Sequence, residues 1–191
     1  MTTNLTFKTD NENRLDTFLR LMKESSNAYY KIAKGIKIKN ESTSGDRIAR
    51  ASAQTVMLAF SIELGLKALF AVFIISIKDY TDFQKFYKKS NTDLHNLFSL
   101  YLIIGNGFQC IIKRHLCKKL EMNREEFELE LYKCSNVFKN GRYYYEGLEK
   151  SNTVECPVFE YFIKELANIV NKLMNEYIPE SSNLSLSLKQ P

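Results

Sequence analysis

The run VMLAFSIELGLKALFAVFIISI, residues 56–77, decides the fold of this chain. Its only charges are those of Glu63 and Lys67, which lie one helical turn apart. A transmembrane helix needs about 20 apolar residues, so a membrane span is one interpretation. Central charges are costly in a span, however, and the run is preceded by amphipathic helix. We therefore predict the central helix of a globular core.

Apolar residues that recur every three or four positions predict further helices on both sides of this run. The chain contains few residues that break helices, with 3 Pro and 7 Gly, and no convincing strand pattern. The predicted fold is all-α, an up-and-down bundle of five to six helices around two long antiparallel helices. The two long helices cover residues 11–36 and 47–78, and the others cover 92–102, 108–120, 123–145 and 157–178, with a further short helical piece at 81–88.

Polar residues mark where several of these helices begin. Asp46 is the candidate cap of the central helix, and Thr92 or Asp93 opens the next long segment. Asn123 followed by Glu126 resembles a capping box, and Pro157 suits the first turn of the last helix.

The 191 residues predict one domain over residues 10–178, with flexible tails at 1–9 and 179–191. A hydrophobic content of 45% excludes a disordered chain. The N-terminus lacks the basic start and apolar run of a secretory signal, so we expect a cytoplasmic protein without a membrane partner. No CxxC pair occurs, and free thiols are expected at the four cysteines, Cys110, Cys117, Cys134 and Cys156.

The net charge of +5 is unevenly placed along the sequence. Residues 23–50 hold seven basic residues against three acidic ones. The segment KRHLCKK adds a second basic cluster, made of Lys113, Arg114, Lys118 and Lys119. Such a cluster is either a solvated face or an edge that binds phosphate groups.

Common enzyme signatures are missing from the sequence, including a phosphate-binding glycine loop, GxSxG and HExxH. Two histidines cannot build a histidine-rich metal site within one chain, and no cofactor or metal is expected. Candidate binding residues remain in three segments. These are Glu63 and Lys67 in the central run, Asp93 and His95 in TDLHNLF, and Arg142, Tyr143, Tyr145 and Glu146 in NGRYYYEG.

Each candidate has a structural and a functional interpretation. Glu63, Lys67, Arg142 and Glu146 could form an ion-pair network between core helices, since buried charges are paired as a rule. Arg142 among tyrosines could instead bind a phosphate while the rings stack on bases. Asp93 could serve as an N-cap, and His95 could be an ordinary helix residue or a base.

The order of these three segments resembles that of the HEPN superfamily (higher eukaryotes and prokaryotes nucleotide-binding). Glu63 and Lys67 match a motif resembling ExxxK, and Asp93 with Leu94, Leu97 and Phe98 matches HDLxxLF. Arg142, Tyr143, Tyr145 and Glu146 match WRYxYE. The resemblance covers residues 10–178 and implies a homodimeric module that associates with RNA, a nucleotide or a protein from the same operon. It also implies a setting in bacterial antiviral defence or toxin–antitoxin systems.

The sequence departs from the catalytic members of that superfamily, which carry an Arg followed four to six residues later by His. No histidine lies beyond His115, so Arg142 lacks this partner. The expected function is therefore binding without catalysis. The alternative is an atypical metal-independent ribonuclease in which Arg142 stabilises charge and His95 or Tyr143 transfers protons.

Overall fold

A computed structural model describes residues 10–37, 43–76, 95–135 and 157–178, and all secondary structure in these ranges is α-helical. The helices are α1 (Asp10–Gly35), α2 (Ser44–Ser76), α3 (Leu97–Ile103), α4 (Asn106–Leu120), α5 (Arg124–Cys134) and α6 (Pro157–Tyr177). The predicted all-α bundle with two long helices is confirmed. The helix predicted at 81–88, the continuation predicted to residue 145 and the predicted tails lie outside the described residues.

The two long helices, α1 and α2, pack against each other in antiparallel directions. Near their middle, the Ser26 hydroxyl donates to the carbonyl oxygen of Ser61 at 2.7 Å. Further along, the Gln54 amide donates to the Ala33 carbonyl oxygen at 3.0 Å. This carbonyl belongs to the last turn of α1, where carbonyl groups lack helical partners. A side chain of α2 therefore caps the end of α1.

The starts of two helices differ from the sequence predictions. The Thr43 hydroxyl accepts the backbone N–H of Asp46 at 3.2 Å, so α2 begins before Asp46 and the prediction of Asp46 as its cap is wrong. The cap of α3 is Asn96, whose side chain accepts the N–H of Ser99 at 2.9 Å. The predicted opening at Thr92 or Asp93 is therefore also wrong, because His95 and Asn96 precede the first helical residue.

Two other predicted boundaries are confirmed. Asn123 and Glu126 form the predicted capping box at the start of α5. Pro157 is the first residue of α6. Gly105 separates α3 from α4 and has a φ of 87°, a left-handed conformation that favours glycine.

The core lies between α2 and the amphipathic helix α6. From Leu58 to Val72, almost every residue of α2 is buried. The segment Gly45–Ile74 is long and apolar enough to cross a membrane, and an 18-residue window within it has a mean hydropathy of 2.0, but 78% of that window is buried inside the bundle. The other helices thus cover the apolar surface that first suggested a span.

Candidate functional site

A buried carboxylate, that of Glu63, lies at the centre of the first candidate site. It projects from the most apolar part of α2, and the Lys67 side chain one turn later is also buried. The Lys67 ammonium donates to Glu63 Oε1 at 2.6 Å. The predicted pairing of these two residues is confirmed. A charge in a core requires such a partner, because the loss of hydration is otherwise uncompensated.

His95 joins this pair from outside the helix. Its Nδ1 lies 3.0 Å from Glu63 Oε1, while 59% of the imidazole side chain is exposed. The prediction of a helical His95 is wrong, because the Asn96 cap leaves His95 in the turn before α3. The turn brings a solvent-exposed ring to a carboxylate in the core. We name Glu63, Lys67 and His95 the Glu63 cluster.

The two carboxylate oxygens of Glu63 have different surroundings. Oε1 contacts both Lys67 Nζ and His95 Nδ1. Oε2 is buried and has no hydrogen-bond partner within the described part of the chain. An ionised carboxylate can accept several hydrogen bonds, so Glu63 retains acceptor capacity at this atom.

The predicted basic cluster lies on α4. Arg114, Lys118 and Lys119 are exposed there, and Lys113 is half-buried. None of the four lies within ion-pairing distance of an acid among residues 10–37, 43–76, 95–135 and 157–178. By contrast, Arg124 and Lys133 on α5 pair with Glu128 and Glu130 at 2.9 and 2.5 Å. The charge of α4 is therefore not neutralised locally.

A polar bridge that the sequence analysis missed runs across the outside of α6. The Tyr30 hydroxyl of α1 donates to Asn168 Oδ1, and the Asn168 amide donates to Glu165 Oε1 at 3.2 Å. Glu165 Oε2 lies 3.7 Å from His115 Nε2 on α4. This distance exceeds a hydrogen bond but allows an ion pair when the imidazole is protonated. Hydrogen bonds thus connect α1 with α6, and His115 of α4 lies beside them, its buried Nε2 making no hydrogen bond within the described residues.

A ring of three amides continues the bridge along the seam between α1 and α6. The Asn171 amide donates to Asn27 Oδ1 at 2.5 Å, and the Asn27 amide donates to Asn175 Oδ1 at 3.4 Å. The Asn175 amide completes the ring by donating to Asn171 Oδ1 at 3.2 Å. One sequence signal could have revealed this surface. Asn168, Asn171 and Asn175 recur at helical spacing opposite the apolar stripe of α6.

The remaining predicted site residues lie outside the described residues. These are Asp93 of the second motif and all four residues of the third motif, Arg142, Tyr143, Tyr145 and Glu146. The structure therefore connects the first motif, through Glu63, with His95 beside the second.

Two further expectations concern metals and thiols. No group of three or more His, Cys, Asp or Glu side chains that could hold a metal ion occurs among the described residues. Cys110, Cys117 and Cys134 are free thiols, as predicted, and Cys156 lies outside the described ranges.

The fold and the two candidate sites define a class, an all-α bundle with a buried charge cluster and a basic helix. No known family, curated protein or solved structure matches the chain.

Proposed function

We propose that the protein is a cytoplasmic, HEPN-like helical module that binds RNA or a nucleotide phosphate without cleaving it. The observation that most supports this proposal is the basic cluster of α4, whose four cations have no acidic partner in the described part of the chain. Cations paired with acids contribute little to anion binding, because the acid competes with the phosphate. Cations without such partners release condensed counterions from a nucleic acid when they bind it.

The Glu63 cluster also supports the resemblance on which this proposal draws. Glu63 and Lys67 come from the first matching motif, and His95 lies within two residues of Asp93 in the second. Contact between Glu63 and His95 means that two segments recognised separately in the sequence meet in space. This is the arrangement expected if both motifs belong to one site.

Fluorescence anisotropy with a labelled single-stranded RNA, measured at several salt concentrations, tests the proposal. Each phosphate neutralised on a single strand contributes about 0.7 to the slope of log affinity against log salt, so four contacts predict a slope near −2.8. A variant with alanine at residues 113, 114, 118 and 119 should lose most of that slope.

The matched control removes cations that already have acidic partners. Arg124→Ala with Lys133→Ala lowers the charge of neighbouring α5 but should leave RNA affinity nearly unchanged. Salt-independent binding, or equal binding by the α4 variant and the unmodified protein, would show that the basic cluster is only a solvated face.

A second candidate function, metal-independent RNA cleavage, is favoured by the contact between His95 and Glu63. A carboxylate at 3.0 Å from Nδ1 orients the ring, as in other carboxylate–histidine pairs. His95 would remove the proton of a 2′-hydroxyl as that oxygen attacks phosphorus, and water would protonate the departing 5′-oxygen. Arg142 would stabilise the negative charge that develops on the phosphoryl oxygens.

Gel analysis of RNA incubated with the protein and a chelator tests this candidate. Cleavage that disappears in His95→Ala and in Arg142→Ala supports it. Intact RNA, or cleavage that persists in both variants, rejects it in favour of binding alone.

Homodimer formation is the remaining part of the proposal, together with a protein partner from the same operon and a role in bacterial defence or a toxin–antitoxin pair. A dimer would have an apolar strip to cover on α3 and α5, where Leu102 and Leu129 are each 54% exposed. Sedimentation at tens of micromolar should give twice the chain mass. A monomer at that concentration would remove the dimer from the proposal.

A further inference from the structure

Contacts with α6 bring the last turns of α1 and the basic cluster of α4 to the same end of the bundle. Along α1, Lys23 donates to the Ile178 carbonyl oxygen at 2.5 Å, and Tyr30 contacts Asn168. Later residues of α1 therefore contact earlier residues of α6, so these two helices are antiparallel.

The same reasoning applies on the other side of α6. Phe108 of α4 packs against Tyr177 at a ring distance of 5.1 Å, and His115 lies beside Glu165. Helix α4 is thus also antiparallel to α6, and consequently parallel to α1. The carboxyl-terminal turns of α1 and α4 both flank the amino-terminal half of α6.

The outer surfaces of α1, α6 and α4 thus form one continuous face, which we name the three-helix face. The polar bridge from Tyr30 through Asn168 and Glu165 to His115 crosses this face at mid-height. With neighbouring helix axes about 8–10 Å apart, the face is roughly 20 Å wide. That width accommodates an extended strand.

Basic side chains surround the bridge on all three helices. On α1, Lys34 follows Tyr30 by one turn, and its ammonium lies 4.7 Å from the centre of the Tyr30 ring. On α4, Lys118 follows His115 by three residues and is exposed on the same side. On α6, Lys164 precedes Asn168 by one turn and contacts Glu160 at 3.7 Å. Cations therefore lie along both flanks and the middle of the face.

An exposed aromatic ring lies at the same end. Tyr161 is on the stripe of α6 that continues through Lys164, Glu165 and Asn168, and it is 65% exposed. An exposed ring among cations and amides offers a stacking surface for a base, and stacking requires a base that is not paired in a duplex. Amide side chains such as Asn168 can also bond to unpaired base edges.

We propose that the three-helix face binds single-stranded RNA, with Tyr161 stacking on a base and Lys34 and Lys118, cations without an acidic partner among the described residues, contacting phosphates. This assignment rests on the proposed RNA-binding function and names its surface and the class of RNA. Of the acids on this face, Glu160 pairs with Lys164 and Glu165 accepts from Asn168, while Glu24 of α1 and Glu176 of α6 lie towards the opposite end. The strand would therefore bind at the end formed by the start of α6.

Affinity for a labelled RNA of about 16 nucleotides, near the upper site size of single-strand binders, tests this assignment with the full chain. Tyr161→Ala should weaken binding roughly 5- to 150-fold, whereas Tyr161→Phe should retain it. Tyr132→Ala is the matched control, because Tyr132 is 63% exposed on α5 beside Phe98 and away from this face. It should bind RNA like the unmodified protein.

A charge variant gives a second, independent readout. Lys34→Ala with Lys118→Ala should reduce the salt slope by about 1.4, from about 0.7 for each lost phosphate contact. Unchanged thermal melting of each variant would confirm that the fold is retained, which is expected because all substituted side chains are outside the core.

The outcomes separate this assignment from the proposed function. If the α4 alanine variant loses RNA while the Tyr161→Ala variant and the Lys34→Ala/Lys118→Ala variant bind normally, the basic helix binds RNA through another surface and the three-helix face is wrong. If the unmodified protein binds no RNA, the proposed function itself fails. Tighter binding of duplex RNA, or equal binding of single-stranded DNA, would overturn the single-stranded RNA assignment.

Discussion

Gly65 is the position at which a single methyl group should most clearly disturb the bundle. It lies in the buried part of α2, where α6 approaches the helix backbone. A Cβ added at this position would lie 2.4 Å from Val170 Cγ1 and 3.2 Å from Met174 Sδ. Ordinary contacts are about 3.5–4.0 Å, so an alanine would require Val170 to move by more than an ångström.

The expected loss of stability follows from two opposing effects. Alanine in place of glycine favours a helix interior by about 1 kcal/mol. Overpacking of a filled core costs about 1–3 kcal/mol, and valine in a helix has essentially one rotamer, so it cannot turn aside. Met174 is flexible and can adjust more easily. Because Val170 cannot turn aside, the overpacking cost should lie in the upper part of its range, about 2–3 kcal/mol, and subtracting the helix gain leaves Gly65→Ala with a loss of about 1–2 kcal/mol in the free energy of unfolding.

Urea unfolding followed by circular dichroism measures this change, with Gly45→Ala as the control. Gly45 lies in the same helix, but nothing lies within 4 Å of its added Cβ. Gly45→Ala should leave stability unchanged or raise it by up to about 1 kcal/mol. Val170→Ala removes the clashing methyl group, so the double variant should show a coupling of about 0.5–3 kcal/mol with Gly65→Ala.

Two results would refute this reasoning. One is a Gly65→Ala protein that equals or exceeds the unmodified protein in stability. The other is strict additivity with Val170→Ala. Either would mean that α6 does not approach α2 as closely as the described contacts require.

Three further predictions concern buried ionisable groups. Lys67→Met should destabilise the fold by roughly 3–5 kcal/mol in urea unfolding, because the Glu63 carboxylate loses its buried cation. The double variant Glu63→Leu with Lys67→Met should cost far less stability, because it leaves no unpaired buried charge. Burial raises the pKa of Tyr101 from 10.0 to about 12. The contribution of this residue to the free energy of unfolding is therefore fully present below pH 10 and is lost as pH rises through 12. Tyr101→Phe should remove this alkaline loss of stability, at most about 2.7 kcal/mol, and an unchanged pH profile would contradict the assignment. Burial also raises the pKa of the Cys134 thiol, whereas Cys110 is exposed. Alkylation followed by peptide mapping should therefore find Cys110 modified in the native protein and Cys134 modified only after unfolding. Rapid labelling of Cys134 in the native protein would refute this prediction.

The features that could be predicted from the sequence are those set by neighbours along the chain. The apolar run of α2, the pairing of Glu63 with Lys67 and the capping box at Asn123 all depend on residues within one helical turn. The first residue of a helix is harder to predict where two suitable N-cap residues lie close together in the sequence. Asn96 and Asp93 are both suitable residues, and local preference alone does not choose between them.

Contacts between helices could not be predicted, because they depend on how far each helix slides and rotates on its neighbour. Glu63 and His95 meet only because the turn before α3 returns to the middle of α2. The pairing of Tyr30 with Asn168 depends on the close approach of α6 to α2, which Gly65 permits. Spacing indicates which face of a helix is buried, but not which residue of another helix lies opposite.

The position of α6 in the chain has a consequence for synthesis on the ribosome. The described part of helix α2 ends at residue 76, but the helix that covers much of its apolar surface begins only at residue 157. At about 5–20 residues per second, the intervening segment takes roughly 4–16 s to emerge. During that interval the nascent chain presents an apolar helix with only α1 and the intermediate helices to shield it. Premature termination before α6 would therefore leave a product prone to aggregation or to capture by chaperones.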